Sequence, residues 1–396
     1  MKCDPKSLIA ASLGFRSIPK GSIRGEMLYL ACQWANKARC VLPTAPADLN
    51  INVSGDNMLR LTWTAGLGAT SYNIKRSLVP GGPYTTIGTS AVTTYDDHTV
   101  ANYTMYYYVV SSTNACGESA VNSIESHGTP FNFVVSGWIN RVQVNGGLVP
   151  SLNTVKSLDT FVHSLVTCGI DGLMIAVNAF VPDSLIAALT PLYVGPGSDP
   201  WTNHNFVAGD LTINGLKGDA VGKYLQTGIV PANVYGAINS GMSIYCPETY
   251  NAASFGYDME SSDAAITSKS GINFLPAANI SNWACFDTGS QVTTANPGPF
   301  VGFLSGNRIA ANNTSIYKAS STVPFFAAGS NALSGGNLAL ITNDLYVFAA
   351  NFGFAFGYVS HRLSFAAMHA GLTAVQDRCL FNAVQALRVA LGGGFA

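Results

Sequence analysis

The chain has 396 residues, too many for one ordinary core, so two or three folding units are expected. Apolar residues make up 48% and charged residues only 10%, against roughly 25% in a typical soluble domain, so glycine, serine, threonine and asparagine must solvate the surface. A net charge of -1 without clustered Lys and Arg excludes the electrostatic footprint of a nucleic-acid binder, and no uninterrupted apolar run of about 18 residues is present to cross a membrane.

Residues 1–42 read as a helical module. Asp4 can cap and Pro5 can open a helix with Leu8, Ala11 and Phe15 on one face; Ile18–Ser22 breaks it, and Met27, Leu30, Ala31 and Trp34 follow at helical spacing. Two such short helices do not bury their apolar faces alone. Met27, Leu30 and Trp34 are therefore candidate anchors, onto a larger assembly or onto the rest of the chain. The start, Met1-Lys2-Cys3-Asp4-Pro5, has no apolar stretch after the lysine, so export through a signal peptide is not expected and assembly in a cytosol is.

Leu42–Pro46 reads as a linker stiffened by proline, and residues 43–130 then alternate as antiparallel strands with one wet face. Leu49, Ile51 and Val53 form one set; after the Ser54–Asn57 turn, Leu59, Leu61 and Trp63 form the next; Tyr72 with Ile74, and Tyr106 with Tyr108 and Val110, continue the pattern. This predicts a sandwich of about seven strands with Trp63 inside and Tyr106 at a tyrosine corner. The segment, including the run Tyr106–Ser119, resembles a fibronectin type III domain, which implies a spacer or binding module without catalytic residues.

Residues 131–396 form a larger unit. Val155, Leu158, Val162 and Leu165 predict a helix ended by Gly169, a short helix lies between Pro182 and Pro191, and short apolar runs broken by Gly, Asn, Ser and Pro from Trp201 to about Ser364 admit only strands. A jelly roll of two sheets is the expected closure. Thr373 and Gln376 make a capping box for a last helix with Leu380, Ala383, Val384, Leu387 and Leu391 on one face, stopped by Gly392–Gly394 and lying against the sandwich. The fold class is thus mostly β: a short helical N-terminal module, a fibronectin type III-like sandwich, then a larger jelly roll with a C-terminal helix.

Asp210–Gly218 and Lys223–Gly228 resemble the opening of a laminin-G or concanavalin-like sandwich. Arg362–Thr373 is similar to the closing strand and helix entry of glycine-rich phage virion proteins, and Tyr29–Lys37 to a helical segment common in phage structural proteins. The resemblance implies a bacteriophage virion component.

Eight cysteines, at positions 3, 32, 40, 116, 168, 246, 285 and 379, show no CxxC pair or metal-ligand spacing and are expected to be mostly buried thiols, without a zinc or disulfide framework. The six histidines share no metal-binding spacing, and His369 reads as hydrogen-bonded structure in preference to a base. Asp258, Glu260 and Asp263 form the densest acidic cluster; on a strand Asp258 and Glu260 share a face suited to glycoside hydrolysis or calcium, yet the Ser- and Gly-rich surroundings read as a solvated loop. Nucleophile elbows, P-loops and dinucleotide glycines are missing. For sugar recognition the candidates are Trp201, Asn203, His204, Tyr245 and Trp283, aromatic and amide groups that loops of a sandwich could present; the bland alternative is that the tryptophans fill the core.

The expectation is a non-enzymatic tail fibre or tail-tip appendage without cofactor, made in the host cytoplasm and resident in the virion, displaying a glycan-binding domain for host attachment. Its partners would be other virion proteins and a host surface glycan, and its state a homo-oligomer such as a trimer. Capsid decoration or a head fibre is one alternative, and a polysaccharide-degrading tail spike another.

Overall fold

In the computed structural model the residues described are 40–396 other than 103, 236–238, 249–255, 264–268, 274–282, 286–291, 294–300, 311–312, 321–323, 332–340 and 394–396. The expected N-terminal helices, with Met27, Leu30 and Trp34, lie outside them. The chain divides into two compact units between Pro130 and Phe131.

Alternation builds the first unit. One sheet pairs β1 (Ala47–Gly55), β2 (Met58–Thr64) and β5 (Thr94–Asp97); the other runs β4 (Thr85–Ser90), β3 (Ser71–Ser77), β6 (Tyr106–Asn114), β7 (Gly117–Glu118), with β8 (Ser126–Gly128) on β6. Every pair is antiparallel. Leu59, Leu61, Trp63, Tyr72, Ile74, Tyr108 and Val110 point inward between the sheets, as their period of two requires. Trp63 meets Tyr72 edge to face at 5.2 Å, and the Tyr106 hydroxyl accepts the Ala101 amide at 3.0 Å, tying the connection before β6 to its own strand.

In the second unit three layers stack. The middle layer is a sheet in the order β21 (Phe326–Asn331), β20 (Asn313–Ala319), β19 (Gly302–Ala310), β14 (Ser240–Cys246), β26 (Phe365–His369), β9 (Met174–Asn178). One of its faces packs on a second sheet, β10 (Thr202–His204), β13 (Tyr224–Gln226), β22 (Tyr346–Val347), β15 (Met259–Ser262), β16 (Lys269–Asn273), β17 (Trp283–Cys285), β18 (Val292–Thr293), to which β23 (Ala350–Asn351) and β24 (Ala355–Phe356) attach through β15. Met242, Ile244, Leu304, Ala366 and Met368 of the middle sheet meet Leu225, Met259, Ile272 and Val347 there. A small side sheet joins β11 (Leu211–Thr212), β12 (Gly215–Lys217) and β25 (Arg362–Leu363).

The other face of the middle sheet carries Tyr245, Phe303, Phe365 and Ala367, and is covered by helices. These are α1 (Phe133–Val144), α2 (Leu152–Thr167) and α5 (Ala374–Ala390), while α3 (Leu185–Leu189) and α4 (Pro231–Val234) are short connectors. The capping box predicted for α5 is present, with the Gln376 side chain accepting the Thr373 amide at 3.0 Å. Leu380, Ala383, Val384 and Leu387 all bury against the sheet. Helix α2 ends where expected, at Gly169 with φ +66°. Helix α1 is not legible in the sequence, because Phe133 and Val144 are exposed apolar residues that blur its Val135, Trp138, Val142 stripe.

The cysteine expectation is corrected. Cys40 pairs with Cys116 and Cys168 with Cys379, their Cα atoms 5.4 and 6.2 Å apart, within disulfide range. Separations of 76 and 211 residues carry no local spacing signal, which is why the pairs are invisible in the sequence. Cys246 is a buried free thiol.

Candidate functional site

Strand parity decides which side chains reach solvent on the β10–β13–β22 margin. Leu225 and Val347 are register partners buried in the core, so their neighbours Tyr224, Gln226 and Tyr346 stand on the outer face. His204 is the partner of Tyr224 across β10 and joins that side. The rings form a row. His204 stacks on Tyr224 with centroids 4.1 Å apart and planes 3° from parallel, Tyr224 meets Tyr346 at 4.7 Å, and Tyr358 closes on Tyr224 at 6.0 Å. All four are half-buried, and Gln226, the register partner of Tyr346, places its amide oxygen 3.3 Å from His204 Nε2.

One charge dominates this row. Asp344 is held by the Gly228 amide at 3.1 Å and by the Asn351 side chain at 3.0 Å. Burial, then the negative charge of Asp344, pushes the Tyr346 phenol up to about 12, and burial with Tyr358 and Asp344 raises Tyr224 in the same direction. These phenols stay protonated at any ordinary pH and offer hydroxyl donors and acceptors.

The five sugar-binding candidates have different fates in the structure. Trp201 is corrected: it is 1% exposed, against Phe180 in the core between the sheets. Tyr245 is also corrected, being 0% exposed on the helix-facing side of β14 beneath the Arg388 guanidinium, 5.3 Å from its ring. Both rings contribute more by filling a core than by waiting in water. Asn203 is exposed, but its amide is engaged with both backbone groups of Phe206. His204 lies in the ring row. Trp283 sits on β17, and its side chain is outside what the structure describes. Tyr224, Tyr346 and Tyr358 escape the sequence reasoning, although a signal exists: in the run Tyr346–Tyr358, aromatic residues recur at even positions, 346, 348, 352, 354, 356 and 358.

The acidic cluster is corrected as well. Asp258 and Glu260 are fully buried, not part of a solvated loop. Asp258 pairs with His361 Nε2; the Asp258 amide donates to Asn273 Oδ1 at 2.6 Å, and Asn273 Nδ2 donates to Glu260 at 2.7 Å. Burial pushes the Glu260 carboxyl up to about 8, against the Asn273 donor and the charge of Lys269. Ordered β pairing of Met259–Ser262 with Lys269–Asn273 is what removes this segment from water. Among the described residues no group of three or more His, Cys, Asp or Glu is placed to hold a metal ion.

A second buried network crosses the middle sheet. His369 Nδ1 donates to the Ala370 carbonyl and Nε2 faces the Ser243 hydroxyl, both at 2.8 Å; Ser243 reaches Ser305, and Asn307 bridges Ser305 to Asp377 of α5. Burial holds His369 down at about 4, so it is a neutral, fully enclosed structural group.

No family model matches the chain. It is similar to the amylopullulanase of Thermoanaerobacterium saccharolyticum, 33% identical over 101 residues that are 25% of this chain and 8% of that protein. It is likewise similar to the amylopullulanase of Thermoanaerobacterium thermosulfurigenes, 33% identical over 105 residues, 26% and 6% of the respective lengths. The chain thus spans less than a tenth of the length of these relatives. Among solved structures, a Fn3-like protein from Clostridium thermocellum is 46% identical, covering 22% of this chain and 90% of that one with a TM-score of 0.21. The structure of FN3tt is 24% identical, covering 22% and 95% with a TM-score of 0.20. By its strand pairing and tyrosine corner, the first unit is a fibronectin type III-like domain.

Proposed function

We propose that this chain is a non-catalytic adhesive protein of a virus particle, a tail-fibre or tail-tip component whose fibronectin type III-like module acts as a spacer and whose jelly roll, lectin-like in architecture, presents a glycan-binding face to the host. The ring row His204, Tyr224, Tyr346 and Tyr358 carries this reading: phenol and imidazole edges beside Gln226 and Asp344 match the hydroxyl-rich, flat-faced chemistry of sugars. A charge-poor composition and the Cys40–Cys116 and Cys168–Cys379 bridges suit a particle that works in oxidising surroundings. Its partners are other virion proteins and a host surface glycan, and repeated copies in a cyclic homo-oligomer such as a trimer raise avidity. Capsid decoration is the alternative placement; antibody-labelled electron microscopy of intact particles separates tail from head.

The binding reading is tested by sedimenting purified chain with host envelope polysaccharide. Retention that is lost in a Tyr224→Ala/Tyr346→Ala double variant supports it, and no retention of the unaltered chain overturns it. A polysaccharide-cleaving spike is the second reading, and the full burial of Asp258 and Glu260 counts against it, because a general acid has to reach the glycosidic oxygen. Oligosaccharide release abolished by Glu260→Gln would establish that reading in place of the first.

A further inference from the structure

Beside the ring row stands a second aromatic feature. The β23–β24 hairpin turns at Gly353, φ +83°, and leaves Phe354 60% and Phe356 45% exposed, large apolar rings that a monomeric surface gains nothing by showing to water. They are held from behind: Phe356 packs on Phe352 at 5.8 Å and on Tyr257 at 6.4 Å, and Phe352 meets Tyr257 at 5.5 Å. The two features share one short segment of chain, Phe354–Tyr358. The Tyr257 amide donates to the Gly357 carbonyl at 2.7 Å, and the next residue, Tyr358, already touches Tyr224. Gly357 has φ +62°, and any side chain there would collide with the Tyr257 ring, so this link admits only glycine.

Resting on the glycan-binding reading above, we infer that the Phe354–Phe356 hairpin and the phenol row form one elongated face for an uncharged polysaccharide chain, and that the face excludes acidic polysaccharides. The exposed phenylalanines supply ring faces on which the apolar C–H face of a pyranose lies. The phenols, Gln226 and Asp344 supply hydrogen bonds for its hydroxyls. The Asp344 carboxylate turns the field of the phenol row negative, and burial together with that charge keeps Tyr346 protonated. Two ammonium groups in the region are already engaged, Lys223 with Asp210 at 2.6 Å and Lys269 over the Phe352 ring at 5.1 Å with Glu260 at 3.9 Å.

The test uses the full chain and measures dissociation constants for neutral polymers (a β-glucan, a mannan, a galactomannan) and acidic ones (alginate, hyaluronate) at low and physiological salt. The expected result is binding of a neutral polymer and none of the acidic ones at either salt. Phe354→Ser weakens that binding about tenfold while Phe354→Tyr retains it, because an exposed ring stacks without supporting the core. Asp344→Asn is judged by the ratio of acidic to neutral binding, which should rise by about tenfold or more whatever the loss in neutral affinity, and an unchanged ratio also overturns the inference. Acidic polymers binding as tightly as neutral ones, or neutral binding indifferent to Phe354→Ser, overturns the inference while leaving glycan binding intact. Retention of no polymer at all, with or without Phe354-dependent binding to phosphatidylcholine vesicles, overturns both.

Discussion

The fibronectin type III-like sandwich and the middle sheet of the second unit handle polar groups in opposite ways. The first keeps its ion pairs at the margin, where Arg60 meets Asp96 and Lys75 meets Glu118, and among its described residues takes only the Asp97 carboxylate inside. The middle sheet is covered on both faces, so Ser243, Ser305, Asn307, His369 and Asp377 have to satisfy one another away from water. A sheet with one wet face tolerates polar residues wherever they point outward; a sheet between two layers has to pair them internally, and here one oxygen of Asp377 is still left over. The second arrangement is the more pH-sensitive of the two.

The largest effect is expected at Asp377. Burial pushes its carboxyl up to about 7, against the Ser305 and Asn307 hydrogen bonds. An acid whose folded value lies above its unfolded one binds more protons when folded, so the Asp377 contribution to stability falls as pH rises from about 4 through about 7, by on the order of 4 kcal/mol, while His369, held down at about 4, works the other way up to about pH 6.5. Asp377→Asn keeps a partner for Asn307 and should flatten this slope, leaving the variant more stable than the parent at pH 8 in urea denaturation. An unaltered slope would move the pH sensitivity elsewhere. Next comes the Cys168–Cys379 bridge, whose replacement by two serines should cost about 2–4 kcal/mol in the same measurement.

Asp97 should give a smaller and opposite dependence. Burial opposes its charge, but hydrogen bonds from Thr99, Tyr108 and Arg76 outweigh it and hold the carboxyl below its ordinary range. The stability it contributes is present above about pH 4 and is lost as pH falls through the lowered folded value. Asp97→Asn should therefore cost about 1–2 kcal/mol at neutral pH and little in acid, read as hydrogen-exchange protection of β3 and β6 peptides. The smallest change is Arg60→Ala, which breaks an exposed, solvent-screened pair and should leave the protection of β2 and β5 peptides indistinguishable from the parent. A measurable loss there would erase the contrast between margin and interior.

Sequence legibility follows the same division. Leu59, Leu61, Trp63, Tyr72 and Tyr108 can be assigned inward from alternation alone, because one face of their sheets is wet and period two is visible. Helix α5 is readable from its capping box and apolar stripe. On β14, by contrast, every residue is buried, and Ser-Gly-Met-Ser-Ile-Tyr-Cys shows no alternation to read. The ring row is half visible: His204 stands out as a candidate, but Tyr224 and Tyr346 depend on a register between strands more than 100 residues apart, which no local pattern carries. Burial of Asp258 and Glu260 is hidden for the same reason, since it follows from pairing with β16 and contact with the distant His361.

The bridge between Cys168 at the end of α2 and Cys379 within α5 closes a loop across a separation of 211 residues, which holds every strand of the two stacked sheets. A peptidase that nicks any segment inside that ring severs the backbone without releasing a fragment. The cut ends stay tethered at a high local concentration and the layers remain assembled, so the molecule is built to outlast single cleavage events that would dismantle an unbridged jelly roll.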